Sequence, residues 1–320
     1  MYYVGVDLGG TKIAVGIVSV YGKLLYKNIV KTEADRGVKT VIDNIIGCIN
    51  GALDNYGISI SNVASVGIGS PGVIDSESGT VIAAFNFKDM KNICLAEEIS
   101  KRIHKNVFIS NDANCAALGE VTSGAAKGYQ NAVMVTLGTG VGGGLILNGK
   151  LYEGGGSKGA ELGHIVVNHN GRQCTCGRKG CWETYAAASA LVKATKEAAE
   201  KFPDSILAKK VNESTQINGK TIFSAIDDGC EIAKGVLNEY VCYVAEGLID
   251  ITNIFRPEII LIGGGISNEG EALIGPIRSY VEKNSYGAGL IDVPKIERAT
   301  LGNDAGIIGA AMVAKLNTIK

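Results

Sequence analysis

Apolar residues near the start of the chain follow two different periods. Residues 2–7, 13–18 and 24–31 are short apolar runs separated by glycine-containing turns, a pattern that predicts three strands. Residues 38–56 carry apolar side chains three or four positions apart, which predicts an amphipathic helix. Residues 63–68 form another apolar run, so a buried strand is expected after the helix. Strands that alternate with helices predict an α/β fold.

The opening pattern recurs in the middle of the chain. Residues 133–147 have the same layout of strand, glycine turn and strand as residues 4–18, and Leu137-Gly138 aligns with Leu8-Gly9. A repeat of this kind predicts an internal duplication, with one α/β lobe built from each half and a cleft between the lobes.

The remaining periodic segments complete this division. Helices are expected at 113–121, 186–201, 231–253 and from 303 or 304 to about 315, and strands at 107–110 and 257–262. We therefore expect an N-terminal lobe over 1–115, a C-terminal lobe over 116–302, and a C-terminal segment, 303–320, that completes the first lobe.

Charge and composition exclude several classes of protein. The chain has 31 basic and 32 acidic residues, interspersed along its length, so it lacks the basic stripe of a nucleic-acid or membrane-surface protein. There is no run of 18 apolar residues to suggest a membrane span, and a charge at Asp7 argues against a signal peptide. We expect a cytoplasmic protein with neither nucleic acid nor membrane as a partner.

One histidine and three cysteines have the spacing H-x9-C-x-C-x4-C, typical of a tetrahedral zinc site: His164, Cys174, Cys176 and Cys181. Four protein ligands leave no open position for water, so a zinc ion there is expected to be structural. Glu161 and Glu183 flank the cluster and are placed to hold a polar ligand in a fixed pose. The other five cysteines are expected to be small hydrophobes, most of them in buried strands or helices: Cys48, Cys94, Cys115, Cys230 and Cys242.

Three glycine turns predict a site for phosphate groups. Asp7-Leu8-Gly9-Gly10-Thr11-Lys12 follows a strand, and its glycines leave backbone N–H groups available to an anion. Alone, this turn is also typical of an ordinary hairpin. Together with Leu137-Gly138-Thr139-Gly140 and Gly263-Gly264-Gly265 it favours a polyphosphate ligand, although it is not a Walker loop.

These motifs occur in an order that resembles the ROK family of sugar kinases, within the actin-like ATPase superfamily, and most closely the bacterial glucokinases. The matching segments also include Gly69-Ser70-Pro71-Gly72, Asn111-Asp112-Ala113-Asn114 and Asn303-Asp304-Ala305-Gly306. The resemblance implies an actin-like ATPase (ribonuclease H-like) α/β fold with two lobes, an interlobe cleft and a zinc-binding loop. It also implies ATP-dependent transfer of the γ-phosphate to the 6-hydroxyl of a hexose.

The resemblance assigns roles to individual residues. Asp112 matches the catalytic base, and Asp7 is the carboxylate expected to hold Mg²⁺ through water. The sugar contacts implied are Gly72, Asn86, Asn111, Asp112, Glu161, His164 and Glu183. The nucleotide contacts implied are Asp7, Gly9, Gly10, Thr11, Lys12, Gly138, Thr139, Gly140, Gly263, Gly264 and Gly265.

Several alternatives stay open at this stage. Glucose is the leading substrate, with fructose, N-acetylmannosamine or N-acetylglucosamine next, and the donor is ATP, ADP or polyphosphate. The family also contains sugar-responsive repressors, whose DNA-binding segment precedes the first strand. Because that strand begins here at residue 2, a repressor is not expected, and the presence of Asp112 argues against a non-catalytic sugar-binding relative. A homodimer is expected, and four apolar residues of the helix 231–253 are candidates for its interface or for the core: Val241, Val244, Leu248 and Ile251.

Overall fold

Strands and helices alternate through residues 1–84 and 86–318, the part of the chain that the computed structural model describes. The strands are β1 (Tyr2–Leu8), β2 (Lys12–Ser19), β3 (Leu24–Lys31), β4 (Val63–Ser70), β5 (Val73–Asp75), β6 (Thr80–Ala83), β7 (Lys91–Ile93), β8 (Val107–Asn111), β9 (Ala132–Leu137), β10 (Val141–Leu147), β11 (Lys150–Tyr152), β12 (Ile259–Gly263) and β13 (Lys295–Arg298). The helices are α1 (Val38–Tyr56), α2 (Leu95–Ile103), α3 (Asp112–Ser123), α4 (Glu183–Ala186), α5 (Ala188–Lys201), α6 (Ile206–Glu213), α7 (Gly219–Asp227), α8 (Glu231–Phe255), α9 (Glu271–Asn284) and α10 (Asp304–Thr318).

The first sheet brings three motif residues to one edge. Its order is β3-β2-β1-β4-β8, with β1, β2 and β3 antiparallel and β1, β4 and β8 parallel. Asp7 is paired with Gly69, and Gly69 is paired in turn with Ser110. The carboxyl ends of parallel strands share an edge, so the Asp7 turn and the Asn111-Asp112 pair lie at the same edge.

The second sheet repeats the order of the first. Its order is β11-β10-β9-β12-β13, so in both sheets the third, second and first strands are followed by the fourth and fifth. The predicted repeat of strand, glycine turn and strand is confirmed by this shared order. A separate three-stranded sheet, β5-β6-β7, lies between β4 and α2 in the sequence.

Internal packing divides the chain into two compact units. The first contains residues 1–134, 144–160 and the described residues from 299 onward, and the second contains residues 135–143 and 161–298. The boundary expected from the sequence, between 115 and 116, lies inside α3. Residues 319 and 320 of the expected segment 303–320 lie outside the described residues.

Helix α10 belongs to the first unit and touches the backbone of its neighbours. A Cβ on Gly67 of β4 would lie 1.8 Å from the carbonyl oxygen of Ala310, and one on Gly309 would lie 1.6 Å from that of Cys115. Only glycine allows such an approach at these two positions. The C-terminal helix is therefore part of the core of this unit.

Helix α8 supplies the core of the second unit. Val241, Val244, Leu248 and Ile251 are all buried within the single chain, so of the two roles open to these residues the structure supports the core. None of the described helices is both long enough and apolar enough to cross a membrane.

The five cysteines outside the cluster mostly behave as small hydrophobes. Cys48, Cys115 and Cys230 are buried, and Cys242 is half-buried. Cys94 is exposed, because it precedes α2 at the surface.

Candidate functional site

The first glycine turn, residues 9–12, is held by hydrogen bonds from the buried Thr32. The Gly9 N–H donates to the Lys12 carbonyl (3.0 Å), which closes the turn. The Thr32 hydroxyl donates to the Gly9 carbonyl (2.6 Å), and the Thr32 N–H donates to the Thr11 carbonyl (3.1 Å). The tip, Gly10 and Thr11, stays exposed. The turn thus presents a fixed backbone to a ligand.

Asp7 lies in an unusual electrostatic environment at the end of β1. Burial and, to a smaller extent, the negative charge of Asp112 raise the pKa of its carboxyl to about 6, although Lys27 acts in the opposite direction. Two acidic groups within electrostatic reach of each other favour a bound cation.

Asn111, and not Asp112, caps α3. The Asn111 side-chain oxygen accepts from the N–H groups of Ala113 (2.9 Å) and Asn114 (3.3 Å). Asp112 is the first helical residue, and its Oδ1 accepts from the Ala113 N–H (2.8 Å). The side chains of both residues thus lie at the N-terminus of α3.

Two further predicted sugar contacts lie close to these motifs. The Asn111 amide donates to the Gly72 carbonyl (3.4 Å). Gly72 has φ 95°, and a Cβ there would lie 2.2 Å from the Ala83 carbonyl oxygen, so the position requires glycine. Asn86 is exposed, and its Cβ would lie 3.7 Å from a Cβ on Gly10. Asn86 and Gly10 line the same cavity, about 650 Å³ in volume.

The four predicted zinc ligands form a single cluster in the second unit. One ligand atom from each of His164, Cys174, Cys176 and Cys181 lies within 4.8 Å of all the others. The His164 Nδ1 is 3.7 Å from the Cys174 sulfur, and the Cys176 and Cys181 sulfurs are 3.6 Å apart. Zinc–sulfur bonds of about 2.3 Å at tetrahedral angles place two sulfurs about 3.8 Å apart. The donors therefore fit a tetrahedral metal ion.

The loop that carries the three cysteines is closed by its own backbone. The Gly177 N–H donates to the Cys174 carbonyl (3.1 Å), and the Cys174 N–H donates to the Arg178 carbonyl (2.9 Å). Burial raises the pKa of the Cys181 thiol to about 12, whereas a hydrogen bond from the Arg178 backbone lowers the pKa of the Cys176 thiol. A bound cation would oppose the effect at Cys181, since coordination deprotonates a thiol.

Trp182 anchors the end of this loop. It is fully buried, and its indole N–H donates to the Tyr243 carbonyl of α8 (2.7 Å). A Cβ on Gly247 of the same helix would lie 2.0 Å from the Trp182 ring. Trp182 therefore packs the cysteine loop against α8, and the contact fixes the backbone of Glu183.

Glu183 connects the cysteine loop to the second glycine turn. Its Oε2 accepts from the Val141 N–H (3.0 Å), directly after Gly140, and its Oε1 is 3.9 Å from the Cys174 sulfur. The Ser189 hydroxyl donates to the Thr139 carbonyl (2.7 Å). The segment after the cysteine loop thus supports the turn 138–140 at two points.

The third glycine turn lies directly against the second. Gly264 has φ 90°, and a Cβ there would lie 2.2 Å from the Leu137 carbonyl oxygen. The turns 138–140 and 263–265 are therefore neighbours in the second unit. Glu161 is exposed beside a short 3-10 helix (Leu162–His164), so its carboxylate is accessible.

Comparison with known proteins agrees with this arrangement. The model of the ROK family matches residues 3–317. This chain belongs to the ROK family.

Among its ROK relatives, a glucokinase from Thermotoga maritima is 40% identical over 98% of this chain and 96% of its own. The crystal structure of a ROK family glucokinase from Streptomyces griseus, in complex with glucose and AMPPNP, is 36% identical, with a TM-score of 0.83 over 99% of this chain and 100% of that one. A xylose repressor from Caldicellulosiruptor bescii is 27% identical over 97% of this chain and 77% of its own. The predicted family and the actin-like ATPase fold class are both confirmed.

Sequence reasoning missed the residues that support the ROK motifs. Thr32 and Ser189 bond motif residues directly, and Glu153 bonds Ser110, the residue before Asn111, but all three lie outside every motif. No local signal marks them, because each contacts a partner that is between 23 and 50 positions away.

Proposed function

We propose that this chain is an ATP-dependent hexose kinase that transfers the γ-phosphate of ATP to the 6-hydroxyl of glucose. The observation that carries the proposal is the 40% identity to a glucokinase over nearly the full length of both chains. The glucose and AMPPNP bound by the Streptomyces griseus relative support the choice of substrates.

For the sugar, we assign five contacts that the resemblance implies: Gly72, Asn111, Asp112, Glu161 and Glu183. Asn86 and His164 complete the proposed set. A hexose offers only hydroxyls, each a donor and an acceptor, so carboxylates, amides and backbone carbonyls are suitable partners.

For the nucleotide donor, we assign the exposed tip of the turn 9–12 and also the turns 138–140 and 263–265, which are neighbours of each other. Backbone N–H groups and the ammonium of Lys12 suit phosphate oxygens. Mg²⁺, when bound with ATP, would neutralise phosphate charge, and the acidic environment of Asp7 fits a role in holding it.

In the proposed reaction, the sugar 6-oxygen attacks the γ-phosphorus and ADP leaves. Asp112 accepts the proton that the hydroxyl loses. A positioned base of this kind contributes a factor of roughly 10²–10⁴ in rate. Most of the remaining acceleration comes from the alignment of the two substrates.

The cysteine cluster is assigned to a structural zinc ion. His164, Cys174, Cys176 and Cys181 would hold it, and the ion would stiffen the segment between Glu161 and Glu183. We also propose a homodimer in the cytoplasm, as the resemblance and the composition imply; sedimentation velocity tests the dimer.

The function is tested by a coupled phosphorylation assay with Mg-ATP and a panel of hexoses and N-acetylhexosamines. We expect the highest kcat/KM with glucose. Asp112→Asn should lower kcat by about 10²–10⁴-fold because the proton acceptor is lost. Glucose affinity, measured by calorimetry, should change little.

The matched control is Asp54→Asn, which alters an exposed aspartate of α1. It should turn over at the wild-type rate. A panel in which no hexose is phosphorylated would overturn the proposed function. Substantial turnover by Asp112→Asn would overturn only the assignment of the base.

A further inference from the structure

Glu153, the residue after β11, accepts hydrogen bonds from two hydroxyl groups that no motif includes. Its Oε1 accepts from the Ser110 hydroxyl at 2.6 Å, and its Oε2 accepts from the Ser76 hydroxyl at 3.2 Å. Ser76 is also hydrogen-bonded to Ser157 at 2.5 Å. All four residues belong to the first unit. Hydrogen bonds to an ionised carboxylate are roughly twice as strong as neutral ones.

Ser110 connects the hydrogen-bond network around Glu153 to Asp112, the proposed base. It is buried, and it is paired through Gly69 with Asp7. The next two residues of the chain are Asn111, the cap of α3, and Asp112. The bond from Ser110 to Glu153 therefore fixes the end of β8 two residues before the proposed proton acceptor.

The glycine segment (residues 154–160) follows Glu153 and has an unusual backbone. Ser157 and Ala160 have φ of 58° and 64°, a left-handed conformation that costs side-chain-bearing residues free energy. The Gly159 N–H donates to the Glu153 carbonyl (2.7 Å), and Ser157 is held by Ser76. The residue directly after this segment is Glu161, a proposed sugar contact. Two bonds thus tie this segment to the network around Glu153, one at Ser157 and one at Gly159.

We propose that Glu153 is a positioning residue of the kinase reaction, which acts on Asp112 through Ser110 and on Glu161 through the glycine segment. The proposal rests on the proposed function. Glu153 need not touch a substrate for this role. A displacement of about 1 Å in a reacting group costs about 10²-fold in rate, so loss of its two hydrogen bonds is enough to lower turnover.

The first test compares Glu153→Ala with Glu153→Gln in the full-length protein. Glu153→Ala should lower kcat with glucose about 10–100-fold, while the KM for ATP changes by less than about threefold. Gln keeps an acceptor for Ser110, and the Ser76 hydroxyl can rotate to accept from its amide. Glu153→Gln should therefore recover kcat to within about fivefold of wild type.

The second test is a double-mutant cycle with Ser110→Ala. If Glu153 acts through Ser110, the double variant should lose no more kcat than the more damaging single variant. Ser76→Ala, which releases the glycine segment but keeps the Ser110 bond, should raise the KM for glucose more than it lowers kcat. Thermal unfolding of each variant is recorded in parallel.

The matched controls are Glu77→Ala and Ser78→Ala, exposed neighbours of Ser76, which should retain wild-type kinetics. The inference is overturned if the wild-type enzyme phosphorylates glucose and the Glu153→Ala variant does so with an unchanged kcat. Equal loss of kcat in Glu153→Ala and Glu153→Gln, or strictly additive effects in the cycle, overturns it as well. A wild-type chain that phosphorylates no hexose points instead to failure of the proposed function.

Discussion

The carboxylate of Asp7 lowers the stability of the ligand-free protein at neutral pH. Its carboxylate is held where burial and the charge of Asp112 both disfavour ionisation, and its pKa rises from 3.8 to about 6. A group whose pKa is raised on folding stabilises the folded state below its unfolded pKa. This contribution is lost as the pH rises through the folded pKa. The ligand-free protein therefore carries a destabilising charge at neutral pH, one that a bound cation would compensate.

Asp7→Asn should consequently stabilise the protein in the absence of nucleotide, sugar and added Mg²⁺. We expect a gain of about 1–3 kcal/mol in the free energy of unfolding at pH 7.5, measured by chemical denaturation. The gain should shrink as the pH falls through 6 and should vanish near pH 4. Asp54→Asn is the exposed control and should show no such trend. An equal gain at every pH would contradict the electrostatic origin.

At the scale of elements, α8 fixes the position of the end of the cysteine loop through its contact with Trp182. Trp182 lies against Gly247 so closely that no side chain fits there. Gly235 is in the same helix, but a Cβ at that position would meet nothing within 4 Å. One helix thus offers two glycines with opposite constraints.

Gly247→Ala should destabilise the second unit by about 1–3 kcal/mol, because the added methyl overpacks the contact with Trp182. Gly235→Ala should stabilise it by about 0.5–1 kcal/mol through helix propensity. Differential scanning calorimetry of both variants measures the contrast. If both variants changed the stability in the same direction, the contact with Trp182 would not explain the effect of Gly247→Ala.

At the scale of the whole molecule, the proposed zinc ion would couple local folding at the cysteine cluster to sugar binding. Glu161 precedes the cluster, and Glu183 follows it and bonds the turn 138–140 through Val141. A metal ion at the cluster would therefore stiffen the segments that carry both carboxylates.

Cys176→Ala should lower zinc content and, with it, the affinity for glucose. We expect about a tenfold weaker Kd by calorimetry, with the metal measured by plasma mass spectrometry, because loss of local folding free energy loosens both carboxylates. Cys94→Ala changes an exposed cysteine outside the cluster and serves as the control. Undiminished sugar binding by metal-free protein would rule out this coupling.

The sequence by itself determined the local structure and the chemistry of the motifs. Apolar periodicity was enough for β1 to β4, α1 and α8, and the spacing of His164 and the cysteines was enough for the cluster, because these signals depend on neighbouring residues. It left the small sheet β5-β6-β7 and the helices α2, α6, α7 and α9 unassigned, since their segments are short or weakly periodic.

Only the tertiary structure decided which groups support the motifs. The bonds from Ser110 to Glu153 and from Val141 to Glu183 join residues 43 and 42 positions apart. Likewise, Asn111 and Asp112 are both good capping residues, and the path of β8 into α3 selects Asn111. Contacts of this kind depend on how whole elements pack. Neither a periodic pattern nor a motif in the sequence indicates them.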